Sequence, residues 1–157
     1  MTSSPDEFPR MNVGMLLRCR PETAFEAFVD PVVTTKFWFT RSSGRMEQDR
    51  ELLWDWEMFG ATANVSVRAV EPPDRIEFEW GAPGSRTIVE LRFSSRGAEA
   101  TFVEVTIVGF AGTDQEVARQ IADASAGFAF VLAGAKAWLE HGLALNLVAD
   151  RYPSRRA

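Results

Sequence analysis

Between Asp114 and about Gly142 apolar residues recur at helical spacing for longer than anywhere else in the chain. Ile121, Ala124, Phe128, Val131, Leu132, Ala135, Trp138, Leu139 and Gly142 fall on one side. Asp114, Gln115, Arg119, Asp123, Lys136 and Glu140 fall mostly on the other, the signature of one amphipathic helix. Thr113 or Asp114 can cap its start by accepting a bond from an orphan backbone N–H, Glu116 suits the positive end of the dipole, and Gly142 marks the stop. At 1.5 Å per residue such a helix is roughly 40 Å long, enough to cross a small domain. Its apolar face mixes the large rings of Phe128 and Trp138 with small residues, Ala124, Gly127 and Ala135, which let another surface or a ligand come close.

The segments before this helix supply what it must cover. Val13, Met15, Leu17 and Cys19 alternate with Asn12, Gly14, Leu16 and Arg18, which predicts a first strand with one buried face. Pro21 ends it and opens a short helix to Val29, with Ala24, Phe25 and Phe28 inward. Asp30 and Pro31 then cap and start a second short helix, expected to run to about Trp38. A polar segment from Thr40 to Arg50 follows. From Glu51 the period changes to two. Leu52, Trp54, Trp56 and Met58 share one face, and a turn at Phe59–Ala61 leads to a strand over Thr62–Val70. Pro72 and Pro73 forbid ladder donors and mark the next turn. Ile76, Phe78 and Trp80 alternate with Arg75, Glu77 and Glu79; Thr87, Val89, Leu91 and Phe93 with Ile88, Glu90 and Arg92; and Thr101, Val103, Val105 and Ile107 with Phe102, Glu104 and Thr106.

Short links between these strands predict consecutive antiparallel hairpins. A sheet with one apolar face and a single long amphipathic helix is satisfied when the sheet curls and the helix lies across its concave side. The expected fold is therefore α+β, a helix-grip arrangement of order β-α-α-β(5–6)-α. A straight helix stands off from a curved sheet, so a cavity toward one end is expected.

A chain of 157 residues fits one domain, with a core over about residues 11–145 and tails at 1–10 and 149–157. With 46% hydrophobic and 25% charged residues it has globular composition. A net charge of −5 with no basic stripe argues against gripping nucleic acid, and Arg151, Arg155 and Arg156 read as a solvated end. Cys19 is the single cysteine, so no internal disulfide forms. Residues 1–10 lack the apolar core of a signal peptide, and no apolar run reaches the length of a membrane span. A cytoplasmic protein without integral membrane association is the expectation.

Several motifs, taken in order, resemble one family. They are Pro21-Glu22 with Ala24 to Phe28, Asp30-Pro31 with Phe37-Trp38, Val70 to Ile76 followed by Phe78 and Trp80, Thr101 to Val105 followed by Gly109-Phe110, and Gly127-Phe128 with Leu132, Ala135, Trp138 and Leu139-Glu140. Over roughly residues 11–145 the chain resembles the START-like (SRPBCC) superfamily, and within it the family named for activators of the ninety-kilodalton heat-shock chaperone's ATPase. The resemblance implies a helix-grip fold. It does not fix a function, because members include lipid carriers, polyketide cyclases, hormone receptors and co-chaperones. Two positions depart from the family pattern: Phe128 stands where tryptophan is usual, and Ile107 where many relatives carry a polar or acidic residue.

The residue inventory offers little chemistry. His141 and Cys19 are each alone, short of the roughly four ligands of a structural zinc site. His141 reads as a solvated residue at a helix end, and Cys19 as a small core residue rather than a nucleophile. Gly81 and Gly84 flank a hairpin turn and form no phosphate loop. No catalytic residue, metal or cofactor is assigned. The aromatic set carries more weight. Trp54, Trp56, Phe78, Trp80, Phe93, Phe128 and Trp138 are all expected to face the space between helix and sheet. The predicted ligand cavity is lined by Trp38, Trp54, Trp56, Phe78, Trp80, Val89, Leu91, Val103, Val105 and Ile107, with Phe128, Val131, Leu132 and Ala135 opposite. Asp55 and Glu57 face water in this register; a slip by one residue would place them inside instead.

The preferred reading is a non-enzymatic binder of a small apolar or aromatic molecule. An acid–base enzyme of the polyketide cyclase or dehydratase kind would need an ionisable group in the cavity. A co-chaperone-like domain regulating an ATPase would need an exposed apolar patch, and the sequence shows no counterpart of the extra N-terminal domain of eukaryotic chaperone activators. Self-association as a homodimer through an edge strand stays open.

Overall fold

A computed structural model describes residues 9–153; the expectations for residues 1–8 and for Arg155 and Arg156 lie outside the described residues. Seven strands form one antiparallel sheet: β1 (Met11–Leu17), β2 (Arg41–Ser42), β3 (Glu51–Trp56), β4 (Ala61–Glu71), β5 (Arg75–Trp80), β6 (Thr87–Ser95) and β7 (Thr101–Val108). Their order is β1-β7-β6-β5-β4-β3-β2. Helices α1 (Pro21–Val29) and α2 (Pro31–Thr34) connect β1 to β2, and α3 (Asp114–His141) and α4 (Leu147–Arg151) follow the sheet. The curved sheet and long C-terminal helix make the expected helix-grip fold.

The alternation in the sequence sets the faces. Val65, Val67, Ile76, Phe78, Val89, Leu91, Phe93, Val103, Val105 and Ile107 point inward and join Phe128, Val131, Leu132 and Ala135 of α3 in one buried cluster. On the outer face the acidic and basic residues of neighbouring strands pair, as Arg75 does with Glu90 at 3.0 Å. Arg68 is the extra residue of a bulge in β4, between the Val67–Phe78 and Ala69–Glu77 pairs, and such an insertion bends its strand.

Helix ends follow the capping chemistry. Asp30 accepts a bond from the Val32 N–H at 3.0 Å with Pro31 in the first turn. Of the two candidate caps for α3 it is Thr113 that serves, accepting from the Glu116 N–H at 3.2 Å. Gly142, at φ 66°, closes the other end in the left-handed conformation that glycine adopts without strain.

Four local expectations need correction. Helix α2 stops at Thr34 instead of Trp38, because the run Val32-Val33-Thr34-Thr35 is β-branched and the chain continues in tight turns such as Phe37 N–H to Thr34 C=O. Strand β3 ends at Trp56. Met58 leaves the inward face for a 3₁₀ turn over Glu57–Phe59 and is exposed. The polar segment after Trp38 holds β2, whose two residues pair with Asp55 and Trp54 without any apolar alternation to announce them. Lys136 and Glu140, expected on the wet side of the long helix, clamp it to β1. Lys136 Nζ donates to the Leu16 carbonyl at 2.8 Å and to Glu140 at 2.7 Å, and Glu140 accepts from the Arg18 N–H at 2.9 Å.

That clamp and the length of α3 position the cavity. The 28 residues of α3 span about 42 Å, whereas the 8 residues of β7 span about 27 Å. The buried residues of α3 run from Phe128 to Ala135, and its first half lies largely exposed. The helix is thus fixed to the sheet through its second half and projects beyond it through its first.

Candidate functional site

Where α3 parts from the sheet there is a cavity of about 260 Å³. One wall comes from neighbouring strand ends: Trp56 of β3, Trp80 of β5, Thr87 of β6 and Ile107 of β7, with Phe110 just beyond. Trp80 and Thr87 are partners across the β5–β6 ladder. The opposite wall is the stripe Ala124, Gly127, Phe128 and Val131 of α3, spaced i, i+3, i+4, i+7, joined by Phe130. Trp38, after α2, closes the back, and Val148, Arg151 and Tyr152 of the C-terminal segment stand at the remaining side.

The rings form a continuous layer. Trp38 meets Phe128 at 5.4 Å and Trp80 at 6.1 Å between centroids, both edge to face. Behind them Trp54 stacks on Phe39 at 4.4 Å and meets Phe78 edge-on at 5.2 Å. Such geometry fixes ring orientation and adds to simple burial. Gly127 matters to the shape: a Cβ placed there would meet nothing within 4 Å. Seven residues on, Gly134 is closed, since a Cβ there would lie 3.0 Å from Phe37 Cβ.

Of the residues expected to line a cavity, Trp38, Trp56, Trp80, Ile107, Phe128 and Val131 do so. Trp54, Phe78, Val89, Leu91, Val103, Val105, Leu132 and Ala135 are instead buried in the layer where helix and sheet touch, each no more than 1% exposed. Phe93 packs on Phe25 and Phe28 of α1, and Trp138 lies half-buried with Lys36 Nζ 5.4 Å from its ring centre, so neither faces the cavity. The C-terminal wall was not anticipated. Val148, Arg151 and Tyr152 belong to a segment too short and too sparsely apolar to show a helical period, and Arg151 reads from sequence as part of a solvated end.

None of the residues lining the cavity is Asp, Glu, His or Cys. Asp55 lies on the outer face against Arg41 at 3.0 Å, which settles the strand register in favour of buried tryptophans. Cys19 lies elsewhere. Burial, followed by the charge of Glu140, pushes its thiol up, with Lys136 opposing, so it is no ready nucleophile. Among the described residues no cluster of three or more His, Cys, Asp or Glu is arranged to hold a metal ion, and no helix is long and apolar enough to cross a membrane.

Comparison with solved structures finds the same fold repeatedly. Protein SSP2350 from Staphylococcus saprophyticus is 31% identical, with 87% of this chain and 95% of that one aligned at a TM-score of 0.74. DynU16, a protein of the dynemicin biosynthetic locus, is 24% identical over 87% of this chain and 49% of its own, with a TM-score of 0.76. The Aha1 dimer from Colwellia psychrerythraea is 18% identical over 85% of this chain and 97% of that one, at 0.72. The comparison with curated proteins finds no match. Residues 18–140 match the profile of the family described as Activator of Hsp90 ATPase homolog 1-like protein, and the chain belongs to that family.

Proposed function

We propose that this protein binds a small apolar or aromatic molecule in the cavity between the tryptophan-bearing strand ends and the first half of α3, as a carrier or sequestering domain rather than an enzyme. The observation that carries the reading is the cavity itself: about 260 Å³ walled by Trp38, Trp56, Trp80 and Phe128, facing the uncovered backbone at Gly127. An apolar cavity of roughly 150 Å³ is enough for benzene, so this one suits two fused rings or a short alkyl chain. Burial supplies the affinity at roughly 25 cal/mol per Å² of apolar surface. An acid–base reaction finds no support in these walls, which offer no carboxylate or imidazole to take up a proton.

The test is titration with the neutral bicyclic fluorophore 2-methoxynaphthalene, comparing the native chain with Gly127→Leu. The substitution fills the open space without deleting a core residue, and a thermal melt verifies that the variant folds. Saturable binding by the native chain, weakened at least tenfold in the variant, is the expected result. Absence of saturable binding, or equal binding by a folded variant, overturns the proposal.

A further inference from the structure

Resting on that reading, we infer that the cavity takes organic acids, molecules with an apolar body and a carboxylate-type head, and that Arg151 receives the head. The polar groups in the walls are unequal in kind. Trp38, Trp56 and Trp80 each carry an indole N–H, which only donates, and Arg151 carries a guanidinium, which only donates and is always charged. The hydroxyls of Thr87 and Tyr152 complete the set, and no side chain of these six residues makes a hydrogen bond among the described residues. Nearly all of the exposed lining is apolar and Arg151 is its one charged side chain, so a polar head on a ligand held there meets a cation and no anionic group.

Arg151 differs from the arginines of the sheet's outer face. Arg41, Arg75 and Arg86 each reach a carboxylate within 3.2 Å. Arg151 forms no ion pair among the described residues, although the chain has an excess of acidic residues, and its guanidinium rests 4.6 Å from the ring centre of Tyr152. A planar guanidinium already laid against a ring is suited to a bidentate carboxylate, since little freedom is lost when the two bonds form. The opposite class, an organic cation held on ring faces, is disfavoured on two counts. Arg151 repels it, and the rings already turn edges onto one another's faces, as Trp38 and Trp80 do at 77°.

The experiment uses one bicyclic body with three heads: 2-naphthoate, 2-naphthalenemethanol and 2-naphthylmethylammonium. Binding is followed by isothermal titration at pH 8 for the full chain and for Arg151→Met, which keeps an apolar stem without the charge. The acid should bind about tenfold or more tighter than the alcohol, the gain typical of a hydrogen bond to a charged group, with the ammonium weakest. In Arg151→Met the acid should lose more affinity than the alcohol, so that the tenfold preference between the two heads disappears. Equal binding of acid and alcohol by the native chain overturns the inference, as does an acid preference that survives Arg151→Met or a preference for the ammonium. If the neutral fluorophore binds and one of these results is seen, the cavity stands as a site and the head-group assignment falls. If neither the fluorophore nor any of the three binds, both fall.

Discussion

Gly127 and Gly134 lie on the same helix seven residues apart, and replacing each with alanine should change stability unequally. In a helix interior alanine is favoured over glycine by about 0.8–1 kcal/mol, because glycine loses more backbone freedom on folding. At Gly127 nothing opposes that gain, since an added Cβ meets no atom within 4 Å. Gly127→Ala should therefore stabilise by about 1 kcal/mol, a rise in Tm of roughly 2–4 °C for a chain of this size. At Gly134 the added Cβ would stand 3.0 Å from Phe37 Cβ and 3.4 Å from its carbonyl oxygen. Phe37 has nowhere to retreat, being buried and packed edge to face on Phe28 at 5.2 Å. Overpacking of this kind costs about 1–3 kcal/mol, which offsets or exceeds the helical gain. The two variants should differ by about 1–3 kcal/mol in urea unfolding at constant m-value, with Gly127→Ala the more stable. Equal shifts would show that the helix stands equally far from its surroundings at both positions, and the geometric basis of the cavity would be lost.

Other consequences test the frame around the site. Asp30→Ala removes the cap on the Val32 N–H and should cost about 1 kcal/mol in urea unfolding; no change would mean that α2 is held by packing alone. Glu140→Gln should destabilise the chain at pH 7. Desolvation raises the Glu140 carboxyl pKa, but Lys136 and the Arg18 N–H outweigh it and hold the folded value below the ordinary one. The carboxylate's contribution is therefore complete above the unfolded pKa of about 4.3 and disappears as pH falls through the lower folded value. Thermal melts from pH 7 to 3 should show the gap between native and variant constant down to about pH 5 and closing below about pH 4. A gap unchanged at pH 3 would remove the clamp from the account.

Much of this fold is legible in the sequence because the strands alternate cleanly and the helix ends carry their caps. Ile76, Phe78 and Trp80 could face only one way once Arg75, Glu77 and Glu79 were placed in water, and Thr113 and Gly142 bracket the long helix. The cavity is legible only in part, for a physical reason. A period of two says which face a residue takes but not how far along its strand the helix still touches. Phe78 and Trp80 therefore look equivalent in sequence, yet Phe78 lies under the contact and Trp80 opens onto the cavity. The same limit hid the clamp. Lys136 and Glu140 have solvent-facing chemistry and helical positions that suit it, and only the approach of β1 turns them inward. Val148, Arg151 and Tyr152 had no periodic signal at all, being brought to the wall by the turn after Gly142.

The tryptophans themselves give the most direct measurement of the central claim. Of five in the chain, Trp38, Trp56 and Trp80 line the cavity, Trp54 is sealed behind them with its indole nitrogen buried and unbonded, and Trp138 lies outside it. Their indole N–H resonances can be followed one by one in a nitrogen–proton correlation spectrum during titration with 2-methoxynaphthalene. The account expects Trp38, Trp56 and Trp80 to shift together along one saturable curve, Trp54 to move less, and Trp138 to stay in place. Shifts led by Trp138, or none at all, would contradict a ligand cavity at this end of the sheet.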